Sequence, residues 1–173
     1  MKVSRKIIGA VFCLMLFAGG SARAQEQKDY LSTLEADKIR DAETTNDRVK
    51  LFLTFADDRL KKFQYELEHP SGTQHIDMLN SLLNGYGGCV DDAADLIQLG
   101  MERQENIRAA IDLMASQSKS FLAVLEKLSA AGGPDLEAYK SNLDDAIEGT
   151  RDAMKEAGKA TKKVAPPPIR RKN

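Results

Sequence analysis

Apolar residues recur at steps of three and four along four segments of the chain, which is the spacing of amphipathic helices. No segment of comparable length alternates with the period of two that a half-buried strand needs. The first two stripes consist of Val49, Phe52, Ala56, Leu60, Phe63 and Leu67, and of Ile76, Leu79, Leu83, Tyr86, Val90, Ala93 and Ile97. The other two consist of Ile107, Ile111, Met114, Ser118, Phe121, Leu125 and Leu128, and of Leu136, Tyr139, Leu143, Ala146 or Ile147, Thr150, Ala153 or Met154, and Ala157. Because each stripe is narrow, we expect helices packed at shallow angles around a thin core, as an all-α, antiparallel four-helix bundle.

The residues between the stripes predict where the helices begin and end. The first helix is expected to end at His69, because the residue before a proline avoids the helical region. Ser71, followed three residues later by Gln74, has the pattern of a capping box that starts the second helix. The Gly-Gly-Pro sequence at 132–134 separates the third helix from the fourth.

The connection between the second and third helices has two interpretations. Gly100 is suited to a helix stop, and a turn there divides the chain into four segments of similar length. Met101, Gln104 and Ile111, however, keep the phase of the preceding stripe, as they would in one continuous helix. We favour a turn near Gly100 and keep a continuous second and third helix as the rival.

The two ends of the chain differ in composition from the body. Residues 1–24 combine a basic start, an apolar run and an Ala-Arg-Ala motif, which predicts a signal peptide and export to the periplasm or the extracellular space. Residues 25–47 keep the phase of the first helix but place polar residues on its stripe, which predicts an extended, weakly docked N-terminal helix. Residues 164–173 contain three consecutive prolines and predict a disordered basic tail. The helical bundle domain is therefore expected to span 25–163.

Charge and hydropathy limit the classes of partner. Four of the 25 basic residues lie in the signal peptide, which leaves 21 against all 26 acidic residues and a formal charge of −5 for the mature chain. An acidic body argues against nucleic acid, since neutralising phosphates needs clustered lysine and arginine. No segment reaches the roughly 20 apolar residues of a membrane-spanning helix. The sequence therefore predicts no nucleic-acid partner and no membrane span.

The sequence Asn-Gly-Tyr-Gly-Gly-Cys-Val-Asp-Asp, at 84–92, is the main candidate for a site, with Gly85, Tyr86, Gly88 and Cys89 as candidate residues. Three glycines inside a helix each cost about 1 kcal/mol relative to alanine. We therefore expect another contact to compensate for the low intrinsic stability of this part of the helix. A close helix crossing or a kink is the simpler explanation, and a ligand that approaches the backbone is the alternative.

A helical wheel predicts which of these residues face solvent. It places Gly88 and Asp92 on the outer face, Gly87 nearer the apolar stripe and Cys89 at the edge of the core. Replacing Gly88 by alanine is therefore expected to stabilise the helix, whereas the same change at Gly87 is expected to help less or to harm. Cys89 is not expected to be catalytic, because its acidic neighbours disfavour the thiolate. As the single cysteine left after cleavage, it could form a disulfide only with another chain.

Motifs for metals and cofactors are weak or missing. Glu66 and His69 have the Glu-x-x-His spacing of di-iron bundles, but such a site needs that motif on two helices and the sequence holds one copy. There is no Cys-x-x-Cys, no phosphate-binding Gly-x-x-x-x-Gly-Lys-Ser/Thr loop and no His-Glu-x-x-His. We therefore predict no metal site, no cofactor and no catalytic residues.

Three functions are compatible with these observations. The best supported is an exported helical interaction or structural protein that acts through its helix faces, with a protein partner or by self-association. The second is a carrier that binds a small molecule or cofactor in the bundle interior near Gly85–Gly88. The third is an exported enzyme of unfamiliar type. The first predicts a dry core with exposed apolar surface, and the second predicts a cavity large enough for a ligand.

Overall fold

The computed structural model describes residues 29–163, and these residues form helices and turns without any strand. The prediction of an all-α bundle is thereby confirmed. The predicted signal peptide and basic tail lie outside the described residues. The helices are α1 (Thr33–Asp41), α2 (Thr45–Glu68), α3 (His75–Glu102), α4 (Arg108–Ala131) and α5 (Leu136–Lys163), with one 3₁₀ turn at Gly72–Gln74.

The four long helices form two antiparallel hairpins, α2 with α3 and α4 with α5. The two hairpins pack on each other mainly through α3 and α5. The helices α3 and α4 are consecutive in the chain, but they lie on a diagonal of the bundle and make few contacts. Side-chain hydrogen bonds join Asn80 to Asn142 and Tyr86 to Thr150. Because both pairs are separated by nearly the same number of residues, α3 and α5 run in the same direction.

Two aromatic pairs fill the centre of the bundle. Phe63 of α2 meets Tyr139 of α5 edge to face with ring centroids 5.3 Å apart, and Tyr86 of α3 meets Phe121 of α4 in the same way at 5.6 Å. Each pair connects helices that lie on a diagonal. Edge-to-face contact is favourable for aromatic rings, so these side chains fill the space that smaller residues would leave between diagonal helices.

The turn between α3 and α4 lies a few residues beyond the expected position. The α-helix continues through Gly100 to Glu102, and Gln104 takes a positive φ of 57° in the turn that follows. The rival interpretation of one continuous helix is therefore wrong. Gly100 does not end the helix. It allows the side chain of Ile107 to pack closely against α3, since a Cβ at position 100 would lie 2.6 Å from Cγ2 of Ile107.

The N-terminal segment forms a separate helix rather than a continuation of α2. Ser32 and Glu35 make a reciprocal capping box at the start of α1. α1 ends at Asp41, because the backbone of Ala42 is extended, and Thr44 then caps α2. Ile39 is the one residue of α1 that is buried against the bundle, and α1 makes few contacts with α2, which agrees with the expectation of weak docking.

The capping box predicted at Ser71 and Gln74 is not formed, and α3 starts at His75. Instead, the backbone N–H and the hydroxyl of Ser71 both donate to Oε1 of Glu66 at 2.7 Å. Nδ1 of His75 lies 2.8 Å from the same oxygen, and Nε2 of His75 lies 3.7 Å from Asp135. Glu66 therefore ties the end of α2 to the start of α3, and His75 extends the connection to the turn before α5.

We predict that Glu66 makes the fold sensitive to acid. Hydrogen bonds from His75 and Ser71 lower the pKa of the Glu66 carboxyl from 4.5 to about 2. A carboxyl with a lowered pKa stabilises the native state above its unfolded pKa, and that contribution disappears as the pH falls toward 2. Urea melts of the wild type should therefore lose stability between about pH 4.5 and pH 2, and Glu66→Gln should lose less over that interval.

The control for this prediction is Glu68→Gln, which removes an exposed carboxylate two residues away. The free energy of unfolding of this variant should change with pH in the same way as that of the wild type. An equal loss of acid sensitivity in the Glu68 and Glu66 variants would contradict the assignment to Glu66.

Candidate functional site

The glycine-rich stretch at 84–92 is helical throughout and lies in the middle of α3. Its expected position inside the second helix is confirmed. A helix interior with three glycines is intrinsically weak, so its persistence depends on contacts with other elements. The structure shows a different neighbour on each side of the stretch.

Tyr86 and Cys89 face the core. Both side chains are completely buried, and burial raises the pKa of the Tyr86 hydroxyl. The oxygens of Tyr86 and Thr150 are 2.6 Å apart, and the Thr150 hydroxyl donates to the carbonyl of Ala146. Tyr86 is therefore the donor to Thr150. Cys89 lies deeper than the edge position expected from the helical wheel, and its lack of a catalytic role stays a prediction.

Gly88 faces the segment before α1, and Gly85 faces Arg59 of α2. A Cβ at Gly88 would lie 2.6 Å from Cε1 of Tyr30, and one at Gly85 would lie 2.8 Å from Nε of Arg59. The expectation that Gly88 faces solvent is therefore wrong. A ring and a guanidinium approach the backbone of α3 where side chains are missing, so a close contact within the chain compensates for these two glycines.

The contact is held by a polar cluster, which we call the N-terminal clasp: Tyr30, Glu35, Arg59 and Asp92. The guanidinium of Arg59 donates to both carboxylate oxygens of Glu35 at 3.1 Å and to the backbone carbonyl of Tyr30 at 2.6 Å. The hydroxyl of Tyr30 donates to the carboxylate of Asp92. The clasp thus ties the start of α1 to both α2 and α3.

Two carboxyl groups of the clasp have shifted pKa values in opposite directions. Burial would raise the pKa of Glu35, but hydrogen bonds from Arg59 and Ser32 outweigh it and hold the pKa below 4.5. Burial and, to a smaller extent, the negative charge of Asp95 raise the pKa of Asp92 to about 6. Asp92 is only 8 % exposed, so its expected position on a solvated face is also wrong.

Gly87 faces a different neighbour from Gly85 and Gly88. It lines a small groove of about 210 Å³ between α3 and α5, together with Gly149 and the polar side chains of Asn84 and Asp145. A Cβ at Gly87 would meet no atom within 4 Å. Nothing in the described part of the chain therefore requires a glycine at this position.

A second groove lies beside the clasp, between α3 on one side and α1 and α2 on the other. This α1–α3 groove has a volume of about 330 Å³. Its apolar lining consists of Ile39, Phe52, Leu96 and Leu99, and its charged lining consists of Arg40, Arg48, Asp92 and Asp95. Both arginines belong to α1 and α2, whereas both aspartates belong to α3. The groove therefore has a basic side and an acidic side with apolar side chains between them.

The two residues of the Glu-x-x-His pattern make contacts with different partners. Glu66 is directed at Ser71 and His75, and the ring of His69 stacks on Tyr65 with centroids 4.4 Å apart. Among residues 29–163, no group of three or more histidine, cysteine or acidic side chains has an arrangement that would hold a metal ion.

Three comparisons with known proteins, with family models, with curated sequences and with solved structures, found no match to this chain. Within the described residues, none of the helices combines the length and the apolar character that crossing a membrane requires.

The two neighbouring glycines should respond to alanine in opposite ways. Gly87→Ala adds a methyl group in open space and should stabilise the fold by up to about 1 kcal/mol through helix propensity. Gly88→Ala forces the Tyr30 ring off α3 and disturbs its hydrogen bond to Asp92, so it should destabilise by about 1–3 kcal/mol. This order is the reverse of the one expected from the helical wheel, and denaturant melts of both variants measure it.

The control is the same Gly88→Ala change in a Tyr30→Ala background, where the obstructing ring is gone. There the substitution should become neutral or stabilising. If Gly88→Ala destabilises equally in both backgrounds, Tyr30 is not the reason that position 88 requires glycine.

Proposed function

We propose that this protein is exported and acts as a helical interaction protein, with a protein partner bound at the α1–α3 groove and no catalytic chemistry of its own. The observation that carries the proposal is the lining of this groove. Leu99 is 37 % exposed there, beside the partly buried Leu96, and charges of both signs flank the pair. An apolar centre surrounded by polar side chains is the usual anatomy of a protein interface.

The state of the chemically reactive side chains supports an interaction protein over an enzyme. Cys89 is sealed in the core, and His75 lies between Glu66 and Asp135 at a helix junction. Every buried side-chain nitrogen or oxygen of the described residues has a hydrogen-bond partner. These groups are therefore engaged in holding helices together, and an enzyme would need several of them directed into a common cavity.

A small-molecule carrier is the second candidate, and the volume of the groove favours it. About 330 Å³ falls at the lower end of the roughly 300–1,000 Å³ typical of ligand pockets. The face of α3 at Gly85 and Gly88 is occupied by Tyr30 and Arg59. A ligand would therefore bind beside the clasp, between the arginines and the aspartates of the groove.

Cross-linking in the protein's own host tests the proposal. A photoreactive amino acid at position 99 should give a discrete protein adduct, because Leu99 is the most exposed apolar residue of the groove. The same amino acid at position 78, where Met78 is 45 % exposed outside the groove, is the matched control and should give none. Equal adducts at both positions would contradict binding at the groove, and a small added mass in native mass spectrometry would favour the carrier.

Export is tested separately by the N-terminal sequence of the protein from its host. We expect the mature chain to begin at Gln25, because cleavage follows the Ala22-Arg23-Ala24 motif. Recovery of the protein from the exported fraction with Met1 still in place would rule out this cleavage.

A further inference from the structure

We propose that the partner at the α1–α3 groove is a second copy of this chain, related to the first by a two-fold axis that runs along the groove. This inference rests on the proposed function, because it names the partner of the same surface. It follows from the distribution of charge across the groove, which makes the surface complementary to itself.

A symmetric dimer brings the same patch of both copies face to face, so residue i of one copy meets residue j of the other and the reverse. When the two-fold axis runs along the groove, the α1–α2 side of one copy lies over the α3 side of its partner. The exposed Arg40 of each copy then lies opposite the exposed Asp95 of the other. An axis across the groove would instead place like charges together, so electrostatics selects one arrangement.

The charges on the rim are available for such contacts. Arg40 is exposed, and its ion pair with Asp37 is a surface pair within α1. Asp95 is exposed on α3. In the described part of the chain, no ion pair joins Arg40 or Arg48 to Asp95 across the groove. Opposite charges from a second copy would therefore reinforce the groove without first breaking a contact between its two sides.

The apolar lining provides the central contact. Leu96 and Leu99 lie one turn apart on α3, so the symmetry operation places the leucines of each copy over the α1–α2 side of the other. The lining comprises only four apolar residues, which is small compared with a stable interface. We therefore expect a weak dimer that forms at high protein concentration and dissociates as salt screens the rim charges.

A charge-swap experiment on the full mature chain tests the dimer. Arg40→Glu places an acidic residue opposite Asp95 of the partner, and Asp95→Lys places a basic residue opposite Arg40. Each variant alone should dimerise about tenfold more weakly than the wild type, because like charges then face each other in both halves of the interface. An equimolar mixture of the two variants should recover association, because each half of the mixed dimer again pairs opposite charges.

Sedimentation velocity at low salt, up to millimolar protein, measures all four samples. Lys61→Glu and Asp144→Lys are the matched control pair, because both residues are exposed and lie outside the groove. These controls should dimerise like the wild type, alone and mixed. Recovery in the mixture cannot come from misfolding, which would weaken both single variants and their mixture alike.

Two results would overturn the proposal: a wild type that stays monomeric throughout this range, or a mixture that associates no better than the single variants. Neither result would decide whether the groove binds a different protein, which the cross-linking experiment tests. A monomeric wild type that still gives an adduct with a different protein at position 99 retains the interaction function with another partner. An adduct of two copies of this chain at position 99 would support the dimer directly.

Discussion

The buried hydroxyl of Tyr86 is the constraint on which the arrangement of the helices depends. An unpaired hydroxyl in an apolar core costs about 1–3 kcal/mol, so a partner must lie within hydrogen-bond distance. Thr150 of α5 is that partner, and it in turn donates to the carbonyl of Ala146. The ring of Tyr86 also packs against Phe121 of α4. One side chain of α3 thereby contacts both helices of the second hairpin.

The opposite side of α3 shows how a weak helix is supported from outside. Gly85 and Gly88 remove side chains where Arg59 and Tyr30 approach. Arg59 is buried on α2, and its charge is compensated by the carboxylate of Glu35. The glycines of α3 and the docking of α1 therefore depend on each other. The clasp can form only where α3 lacks side chains at positions 85 and 88, and the contacts of the clasp in turn stabilise that weak part of the helix.

Local patterns predicted the helices well because a stripe at steps of three and four records which face is buried. A stripe does not record which helix covers that face, so the parallel packing of α3 on α5 was not predictable. The clasp was missed for the same reason, since Tyr30 and Asp92 are 62 positions apart. The clues were the glycines at 85 and 88, which signalled a close neighbour without identifying it. The helical wheel failed at Gly88 and Asp92 because it assumed that the polar face of α3 meets only water.

The packing of two hairpins side by side also has a consequence for the order of folding. Each hairpin closes over a short connection, and the entropy lost in closing a loop grows with its length. The contact between Tyr86 and Thr150, in contrast, spans 64 positions. Assembly should therefore begin within each hairpin and finish when the two halves dock. A chain cut in the turn at 103–107 would then consist of two fragments that recognise each other through the Tyr86 hydroxyl and the aromatic rings of the core.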